Sequence, residues 1–515
     1  MYDSSPYCTQ ENGLNNDRTG VFSLLGLLVL ILQSVLILVM YSKDPSHAFS
    51  EARWDSKLIF PVVSNDNMTH RTLDPVLVPT PASVSTQSSP KAALMTSVSS
   101  QKTRILLDSS PPEAVELLSV DHPGIRQRHE CIAKIRARHE QLLAPLVTPN
   151  ADHPHSLLVD PAYHRNVGDS MLTLGELIFL KRRGFTKCEQ CHYKQANGFY
   201  PPCEQVIGSK PPATIGHQAA LWHAGGNWGD LYRSVHLKRM ESFSSLLAAN
   251  YSLVGMPQSW HYGNKRFEKS DATLIKSKIV QGLFSPTQDV SILSNATALE
   301  RVQSRVTFTW REHESYDQAV KLYPFVNNLV VPDIAFQLGP FLPIPPTGAG
   351  GVDIVLFLRT DKESSQKAKR SRAAVQKLLN TIPGGKDLSF TIVDWDSRLA
   401  MFKSKDFLFT DTAIQLLSLG KVVVCDRLHA SILAYLSGLP FVYINQSTGK
   451  VEKVLRVAFE SWEGCQDGET SMYAGAQNLQ DALGKAIQFL DKYDLKKTTT
   501  AVSAPISTQS KIKQQ

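Results

Sequence analysis

Short apolar runs alternate with amphipathic stretches along the chain from Leu157 onward. The run LLVD at 157–160 predicts a strand, and the polar turn HRNVGD follows it. The next stretch, MLTLGELIFLKRRG, repeats apolar residues at helical spacing, with Asp169 as the expected N-cap and Gly184 as the expected end. The same order of strand, polar turn and helix recurs at 220–230, 252–260, 306–323 and 329–338. This alternation indicates a parallel sheet covered by helices, the α/β class.

The Pro- and Gly-rich run FLPIPPTGAGG at 341–351 separates a second series of the same kind. Its predicted strands are VDIVLFLR, SFTIVDWD, KVVVCD and PFVYIN, and its predicted helices lie near 364–380, 411–419 and 429–437. We therefore expect two α/β domains, at 116–340 and 350–490, with a cleft between them and a disordered tail at 491–515. Ligands of such sheets bind at the carboxyl ends of the strands, so the residues that follow each strand are the candidates.

The segment at 21–40, VFSLLGLLVLILQSVLILVM, carries no charge. At about 1.5 Å per residue it spans the roughly 30 Å hydrocarbon core of a bilayer, whereas a signal-peptide apolar core has about 7–15 residues. The alternative is a buried core helix, although the segment is apolar on every face. We expect a single transmembrane helix here, behind a cytoplasmic tail at 1–20.

A stretch rich in Ser, Thr and Pro at 41–115 follows the anchor and is typical of a disordered stalk. Anchor, stalk and large domain are the plan of a type II Golgi membrane enzyme. By the positive-inside rule, the basic residues around the anchor favour a cytoplasmic C-terminal part. Large domains translocate regardless of flanking charge, however, so we expect the C-terminal part to be lumenal. The flanking basic residues are Arg18 before the anchor and Lys43, Arg53 and Lys57 after it. The N-glycosylation sequons begin at Asn67, Asn250, Asn295 and Asn445.

Six cysteines lie behind the anchor and one, Cys8, lies before it. In an oxidising lumen the six could form up to three structural disulfides, in any of fifteen pairings. The segment Cys188-Glu-Gln-Cys191-His192 formally matches a c-haem attachment motif, and a zinc site built with Cys203 is a further alternative. We favour structural disulfides. The six are Cys131, Cys188, Cys191, Cys203, Cys425 and Cys465.

The charge distribution does not indicate a surface that binds nucleic acid. The chain has 54 Lys and Arg against 47 Asp and Glu, a formal net charge of +7, without a basic block interleaved with aromatic residues. A mild positive excess suits an anionic small substrate equally well. With 42% hydrophobic and 20% charged residues, the chain is neither collagen-like nor wholly disordered.

Two polar turns share an Asn-x-Gly-Asp core, at 166–169 and 227–230, and each is expected to lead into a helix. Glycine lets a backbone approach a ligand closely, and helix amides favour an anion. The alternative is that Gly and Asp only form the turn and cap the helix. A third turn, Arg427-Leu428-His429, follows an apolar strand, and Arg311 follows the strand VTFTW. Arginine offers a bidentate fork to carboxylate or phosphate, and histidine can move a proton near neutral pH.

Six motifs in order resemble the polysaccharide pyruvyl transferase family: NVGD, GGNWGD, PQSWH (257–261), WRE (310–312), VPDIA (331–335) and RLHA followed by GLP. The resemblance covers roughly 155–465, and PQSWH is similar to the eukaryotic, Golgi, galactose-modifying branch. Two features depart from the family: Ala224 stands where the first glycine of GGGN is usual, and the Cys-rich insertion at 185–215 matches no family motif.

The resemblance implies two Rossmann-like domains in a GT-B-like arrangement, and an enzyme that transfers the pyruvyl group of phosphoenolpyruvate (PEP) to two hydroxyls of a sugar as a cyclic ketal. Arg427 and Arg311 would bind the two anionic groups of PEP, and His429 would be the general acid, with His261 as the alternative. The substrate-binding residues would be Arg311, Asn166, Asp169, Asn227, Asp230, Gln258, Ser259 and His261. We assign no metal, and no cofactor other than PEP as co-substrate.

Two other functions fit the same architecture. A GT-B-like Golgi glycosyltransferase would also use an Arg and His pair, on a nucleotide-sugar diphosphate. An inactive lumenal sugar-binding protein is the second, but such a protein would not need Arg311, Arg427 and His429 together. The expected partners are therefore PEP, a glycan or polysaccharide acceptor and, through the anchor, a membrane.

Overall fold

The computed structural model describes residues 123–149, 155–162, 166–193, 200–208, 218–341, 351–359, 371–393, 407–445, 449–465, 471–493 and 495. The predicted anchor at 21–40, the tail at 1–20 and the stalk at 41–115 lie outside these residues. Among the helices of the described part of the chain, none is long and apolar enough to cross a membrane.

The first sheet has seven strands, and every strand pair in it is parallel. Six of them run in the order β2-β1-β3-β5-β6-β7, and β4 pairs with the end of β5. The strands are β1 (His155–Val159), β2 (Lys187–Cys191), β3 (Gln218–Trp222), β4 (Gly225–Gly229), β5 (Tyr251–His261), β6 (Val306–Trp310) and β7 (Asn327–Val330). The central strands β3 and β6 are buried at every residue, which explains their continuous apolar runs.

The second sheet has five parallel strands in the order β12-β11-β10-β8-β9. They are β8 (Val352–Phe357), β9 (Phe390–Val393), β10 (Gly420–Cys425), β11 (Phe441–Ile444) and β12 (Tyr473–Ala476). The mixed α/β architecture with parallel sheets confirms the predicted class.

Helices connect the strands and cover the sheets. They are α1 (Pro123–Leu143), α2 (Val167–Arg182), α3 (Cys203–Gly208), α4 (Arg233–Ala248), α5 (Lys265–Leu283), α6 (Ala296–Arg305), α7 (His313–Leu322), α8 (Arg372–Thr381), α9 (Phe407–Leu417), α10 (Leu428–Leu436), α11 (Lys450–Phe459) and α12 (Leu479–Lys492). Short 3₁₀ helices lie at Ala144–Leu146, Val290–Ser294, Ile334–Leu338 and Glu463–Cys465. Helix α12 continues to Lys492, and Tyr493 and Leu495 are buried, so packed structure extends slightly past residue 490.

Two local predictions differ from the structure. The N-cap of α2 is Asn166, whose side chain accepts a hydrogen bond from the Gly168 amide, and Asp169 lies in the first turn. The segment GGNWGD does not turn into a helix: Gly225–Gly229 is extended and pairs with β5, and α4 begins only at Arg233. Local glycine content predicts a turn, but pairing with a distant strand decides the conformation here.

Helix α1 lies in the predicted first domain but is fastened to elements of the second. The Arg128 guanidinium donates to the carbonyls of Tyr435 and Leu436, at 3.1 and 2.8 Å, and thereby caps the C-terminus of α10. A disulfide joins Cys131 of α1 to Cys465. Helix α2 packs on α9 and α10 of the second half, and on the 3₁₀ helix Ile334–Leu338 of the first.

A single hydrophobic cluster accordingly contains residues of both sheets, among them Leu158 and Val254 of the first and Val355 and Val423 of the second. Two smaller clusters fill the outer faces of the two sheets.

The cysteines confirm structural disulfides for two pairs, Cys131–Cys465 and Cys191–Cys203. Cys188 and Cys425 are free thiols, so the six cysteines behind the predicted anchor form two disulfides rather than three. The haem and zinc interpretations of the Cys188–Cys203 segment do not hold, because Cys191 and Cys203 are bonded to each other. Burial raises the pKa of each free thiol to about 12, which keeps both protonated and unreactive.

Candidate active site

A buried ion pair lies where β6 and β7 end. Arg311 directly follows β6, and its Nη1 donates to Oδ2 of Asp333 at 2.6 Å. Asp333 follows β7, and its Oδ1 accepts a hydrogen bond from the Ala335 amide at 2.9 Å. Both side chains are enclosed, Arg311 at 1% and Asp333 at 0% exposure. A charge pair at this depth needs well-matched partners, because removal of either group leaves an uncompensated buried charge.

The second sheet brings His429 to the same point. Its ring stands at the start of α10, after β10, and its Nε2 lies 3.6 Å from Asp333 Oδ2. This distance is beyond a direct hydrogen bond. The His429 side chain is 13% exposed, so the ring is largely enclosed and still reachable. Asp333 therefore contacts a cation from the first half of the fold and a proton carrier from the second.

The opposite edge of the His429 ring rests against the first turn of α2. A Cβ atom on Gly168 would stand 2.9 Å from Cγ and 3.1 Å from Cε1 of His429, with Nδ1 nearer still. A side chain at position 168 is therefore incompatible with the present place of the imidazole. This explains the glycine of the NVGD motif more specifically than turn formation does.

Gly226 lies close to two cationic side chains. A Cβ atom on Gly226 would stand 2.7 Å from Lys450 Nζ and 3.8 Å from Arg311 Nη2. Lys450 is the first residue of α11, behind Gly449, whose φ of 63° favours glycine. A side chain at position 226 would therefore collide with the Lys450 ammonium, which packs directly against this glycine.

A polar network behind the ion pair fixes the arginine. Ser259 Oγ accepts from Arg311 Nε at 2.8 Å and donates to Glu312 Oε1 at 2.5 Å. Glu312 also accepts from Ser315 Oγ at 3.0 Å. Gln258 donates from its side chain to the His223 carbonyl at 2.6 Å, and its backbone carbonyl accepts from the Arg311 amide at 3.0 Å. Gln258 and Ser259 therefore support the site from behind.

The loop that precedes Gly225 is held by a second carboxylate. Glu176 of α2 accepts hydrogen bonds from the Ala224 amide at 2.7 Å and from His223 Nδ1 at 2.9 Å. Burial lowers the pKa of His223, but the adjacent Glu176 carboxylate outweighs it and the net direction is upward. Ala224 is buried, so the residue that departs from the family pattern faces packed protein.

The other residues predicted to bind substrate are distributed over several elements. Asn166 donates from its side chain to Asp169 at 2.9 Å, close to Gly168 and the His429 ring. The carboxylate of Asp230 accepts from the amides of Gly263 and Asn264, at 2.9 and 2.7 Å, and so anchors the turn before α5. His261 ends β5, and its backbone carbonyl accepts from the Asp230 amide at 2.9 Å.

Two more of the predicted residues occupy strand and helix ends. Asn227 lies in β4, and Arg427 is the N-cap residue of α10, largely buried, two positions before His429. The structure thus brings together Arg311, His429 and the start of α2, with Arg427 adjacent in sequence. Asp230 lies instead at the turn before α5.

Sequence reasoning missed three charged residues of this site, Asp333, Glu312 and Lys450. Asp333 and Glu312 belong to the motifs VPDIA and WRE, and a carboxylate directly after a buried strand is the signal that indicates them. Lys450 follows the strand β11 and belongs to no motif, so only the packing of α11 reveals it.

The electrostatic balance explains the protonation of the central carboxylate. Burial alone would raise the pKa of Asp333, but the Arg311 guanidinium and His429 outweigh it and hold this pKa well below its usual range. Asp333 is therefore an anion at neutral pH. Within the described residues, no group of three His, Cys, Asp or Glu side chains is placed to hold a metal ion.

The residues that form this site lie within a match to a known family. The chain matches the family model described as polysaccharide pyruvyl transferase over residues 166–448. It belongs to this family. The match includes Arg311, Asp333 and His429 and ends before Lys450. The chain is therefore a transferase of the pyruvyl-transferring kind, as the motifs predicted.

Two individual proteins are similar to this family member. The protein named pyruvyl transferase 1 of Schizosaccharomyces pombe is 27% identical over 347 residues, which are 64% of this chain and 73% of that protein. An uncharacterized protein from Klebsiella pneumoniae, whose crystal structure is known, is 14% identical in sequence to this chain. The match covers 68% of this chain and 99% of the Klebsiella chain. Its TM-score of 0.34 is too low to support a statement about fold.

Proposed function

We propose that this transferase moves the pyruvyl group of PEP onto two hydroxyls of a sugar residue, a terminal galactose, as a cyclic ketal, and releases phosphate. The observation that carries the proposal is the placement of His429 beside the buried Arg311–Asp333 pair. A proton donor next to a fixed guanidinium suits a substrate that must be both held as an anion and protonated on carbon.

His429 would donate its proton to the methylene carbon of PEP, and the neighbouring carbon would become an oxocarbenium-like centre. Asp333, 3.6 Å from Nε2, would hold the imidazole ring in position for this transfer. A first sugar hydroxyl then attacks the cationic carbon, and its proton returns to the imidazole. Phosphate leaves, a second hydroxyl closes the ketal ring, and the last proton passes to phosphate or water.

Arg427 and Arg311 would bind the two anionic groups of the donor. Arg311 is fixed by Ser259 and Asp333, so it is preorganised for an anion and loses little freedom when one binds. His261 remains the alternative acid. The position of His429 favours it as the acid, since its Nε2 lies 3.6 Å from Asp333 Oδ2 and its ring is still 13% exposed.

We further propose a GT-B-like arrangement of two Rossmann-like domains, in a single-pass type II Golgi membrane protein whose catalytic part is lumenal. Two disulfides support an oxidising compartment, since structural disulfides are rare in the cytosol. Asn295 is exposed, so its sequon is accessible to a glycan. Enzymatic deglycosylation of the cell-derived protein should increase its gel mobility. An unchanged mobility, together with protease sensitivity in intact microsomes, would exclude the lumenal placement.

The purified lumenal portion, incubated with PEP and a panel of galactosides, tests the reaction. We expect a product heavier than the acceptor by one ketal-linked pyruvyl group, and one phosphate released per product. The same panel with nucleotide sugars instead of PEP is the comparison. Glycosyl transfer there, without product from PEP, would overturn the proposal in favour of a glycosyltransferase.

A further inference from the structure

Helix α1 precedes the residues that match the family, and it contacts the segments that carry Asp333 and His429. His139 of α1 is fully buried, and its Nε2 donates at 2.9 Å to the carbonyl of Pro332, directly before Asp333. The other ring nitrogen, Nδ1, accepts at 3.0 Å from the side-chain amide of Gln337, which follows Asp333 in the 3₁₀ helix. One imidazole therefore holds the chain on both sides of the central carboxylate.

The protonation of His139 fits both of these bonds. A carbonyl oxygen can only accept, so Nε2 carries the proton and Nδ1 accepts from Gln337. Burial lowers the pKa of His139 to about 4, outweighing the upward effects of the Pro332 carbonyl and the Asp333 carboxylate, so the ring is neutral at pH 7. Gln337 Oε1 in turn accepts from Nη1 of Arg182 at 3.3 Å, which extends the chain of hydrogen bonds from α1 to α2.

The beginning of α1 holds the helix that carries His429. Arg128 donates to the carbonyls of Tyr435 and Leu436 in the last turn of α10, and His429 lies in the first turn of the same helix. A Cβ atom on Gly438 would stand 3.0 Å from Cζ of Arg128, so the guanidinium packs directly against the end of α10. Because α10 is a continuous helix of nine residues, a shift of its last turn also moves its first turn.

Two further links fix α1 between these two contacts. The disulfide Cys131–Cys465 joins it to the second half of the fold, and Arg136 Nη1 donates to the Gly339 carbonyl of the first half at 3.0 Å. Helix α1 therefore cannot move relative to either half without breaking bonds.

We propose that α1 is a positioning helix that sets the spacing of 3.6 Å between His429 and Asp333, with His139 and Arg128 as its positioning residues. These two residues lie about three helical turns apart on one rigid element, and each holds one of the two segments. The effect of this spacing on turnover rests on the proposed function, whereas the effect of α1 on the geometry does not.

His139→Phe in the full chain tests the proposal. Phenylalanine keeps a ring in the same space but removes the hydrogen bonds to Pro332 and Gln337. We expect turnover, measured as phosphate release from PEP with an acceptor, to fall by at least about tenfold. PEP affinity in calorimetry should stay within about threefold of wild type, because Ser259 still fixes Arg311. His139→Gln should restore most of the turnover, since its amide can donate to the same carbonyl.

Arg128→Met removes the contact at the other end of α1 and should give the same loss of turnover with PEP binding retained. It also carries the test if His139→Phe does not fold. In a His429→Ala background, neither substitution should reduce turnover further, because both act through His429.

The ring nitrogens of His429 provide a measurement that does not depend on the reaction. In protein labelled with ¹⁵N-histidine, the signals that disappear in His429→Ala identify this residue. We expect His139→Phe and Arg128→Met each to shift those signals.

Leu483→Ala is the matched control for lost stability, because Leu483 is buried in the outer cluster of the second sheet. It should lower the melting temperature but leave turnover and the His429 signals as in the wild type. The proposal is overturned if His139→Phe and Arg128→Met both keep the wild-type His429 signals or the wild-type turnover, or if Leu483→Ala loses turnover to the same extent. If the wild type releases no phosphate from PEP while both variants shift the His429 signals, the proposed reaction is refuted and the positioning role of α1 stands.

Discussion

Replacement of Gly168 by alanine should inactivate the enzyme without unfolding it. The new methyl group would stand 2.9 Å from Cγ of His429, and nearer to Nδ1, whereas carbon atoms pack at about 3.5–4.0 Å. The imidazole must therefore move by about 1 Å, away from α2. A misplacement of this size at a catalytic group costs about 100-fold in rate.

Stability should change little, because two effects oppose each other. Gly168 lies in the first turn of α2, and alanine is favoured over glycine in helices by up to about 1 kcal/mol. The clash includes Cγ of an imidazole that is only 13% exposed, and overpacking an enclosed group costs about 1–3 kcal/mol. We therefore expect a turnover about 100-fold below wild type, with an unchanged or moderately lower melting temperature.

Phosphate release in the presence of PEP and an acceptor measures turnover, and thermal melting measures the fold. Gly484→Ala is the matched control, since a Cβ at this position in α12 meets no atom within 4 Å. It should gain up to about 1 kcal/mol of stability and keep full activity. In a His429→Ala background, Gly168→Ala should cause no further loss, because the displaced group is already absent. Near-normal turnover of the single variant, or an additive loss in the double variant, would refute the argument.

Three other perturbations address the charges and the covalent links of the fold. Asp333→Asn should lower the free energy of unfolding by about 3–5 kcal/mol at neutral pH, because the buried cation beside it loses its partner. Since the folded-state pKa of Asp333 is depressed, its contribution is fully present above the unfolded value of about 3.9 and is lost as the pH falls from there through the folded-state pKa. Denaturant titrations should therefore show a constant difference between the two proteins from pH 7 to about 4, and the beginning of convergence below it. Joint replacement of Cys131 and Cys465 by alanine should cost about 2–5 kcal/mol, measurable as a lower denaturant midpoint, and an unchanged midpoint would mean that α1 is held without the disulfide. His429→Ala should reduce turnover by about 100- to 10,000-fold while PEP still binds, and a selective turnover defect in His261→Ala would instead move the acid role there.

The sequence predicts the secondary structure of the second half well, because its elements have strong local signals. The apolar run before Asp426 forms β10, and the helix that follows ends just before Gly438, as the Gly-Leu-Pro signal indicates. The prediction fails at Gly225–Gly229, where the extended conformation depends on pairing with β5, a contact that local residue preferences do not encode.

The site is less accessible to sequence reasoning than the strands are. Arg311 and His429 are predictable because each follows an apolar strand and carries a side chain suited to anions or protons. Their common contact with Asp333 depends on how α10 packs against the first half, and no local pattern specifies it. Lys450 is missed for the same reason, since a lysine at the start of an amphipathic helix usually faces solvent.

The hydrophobic cluster that includes both sheets makes the two halves one cooperative unit. Neither half can expose its inner face without losing contacts that the other provides, so an isolated half would present a large apolar surface to water. Calorimetry should therefore record a single melting event rather than two. A scaffold of this kind holds Arg311, Asp333 and His429 in position relative to one another before the substrate arrives.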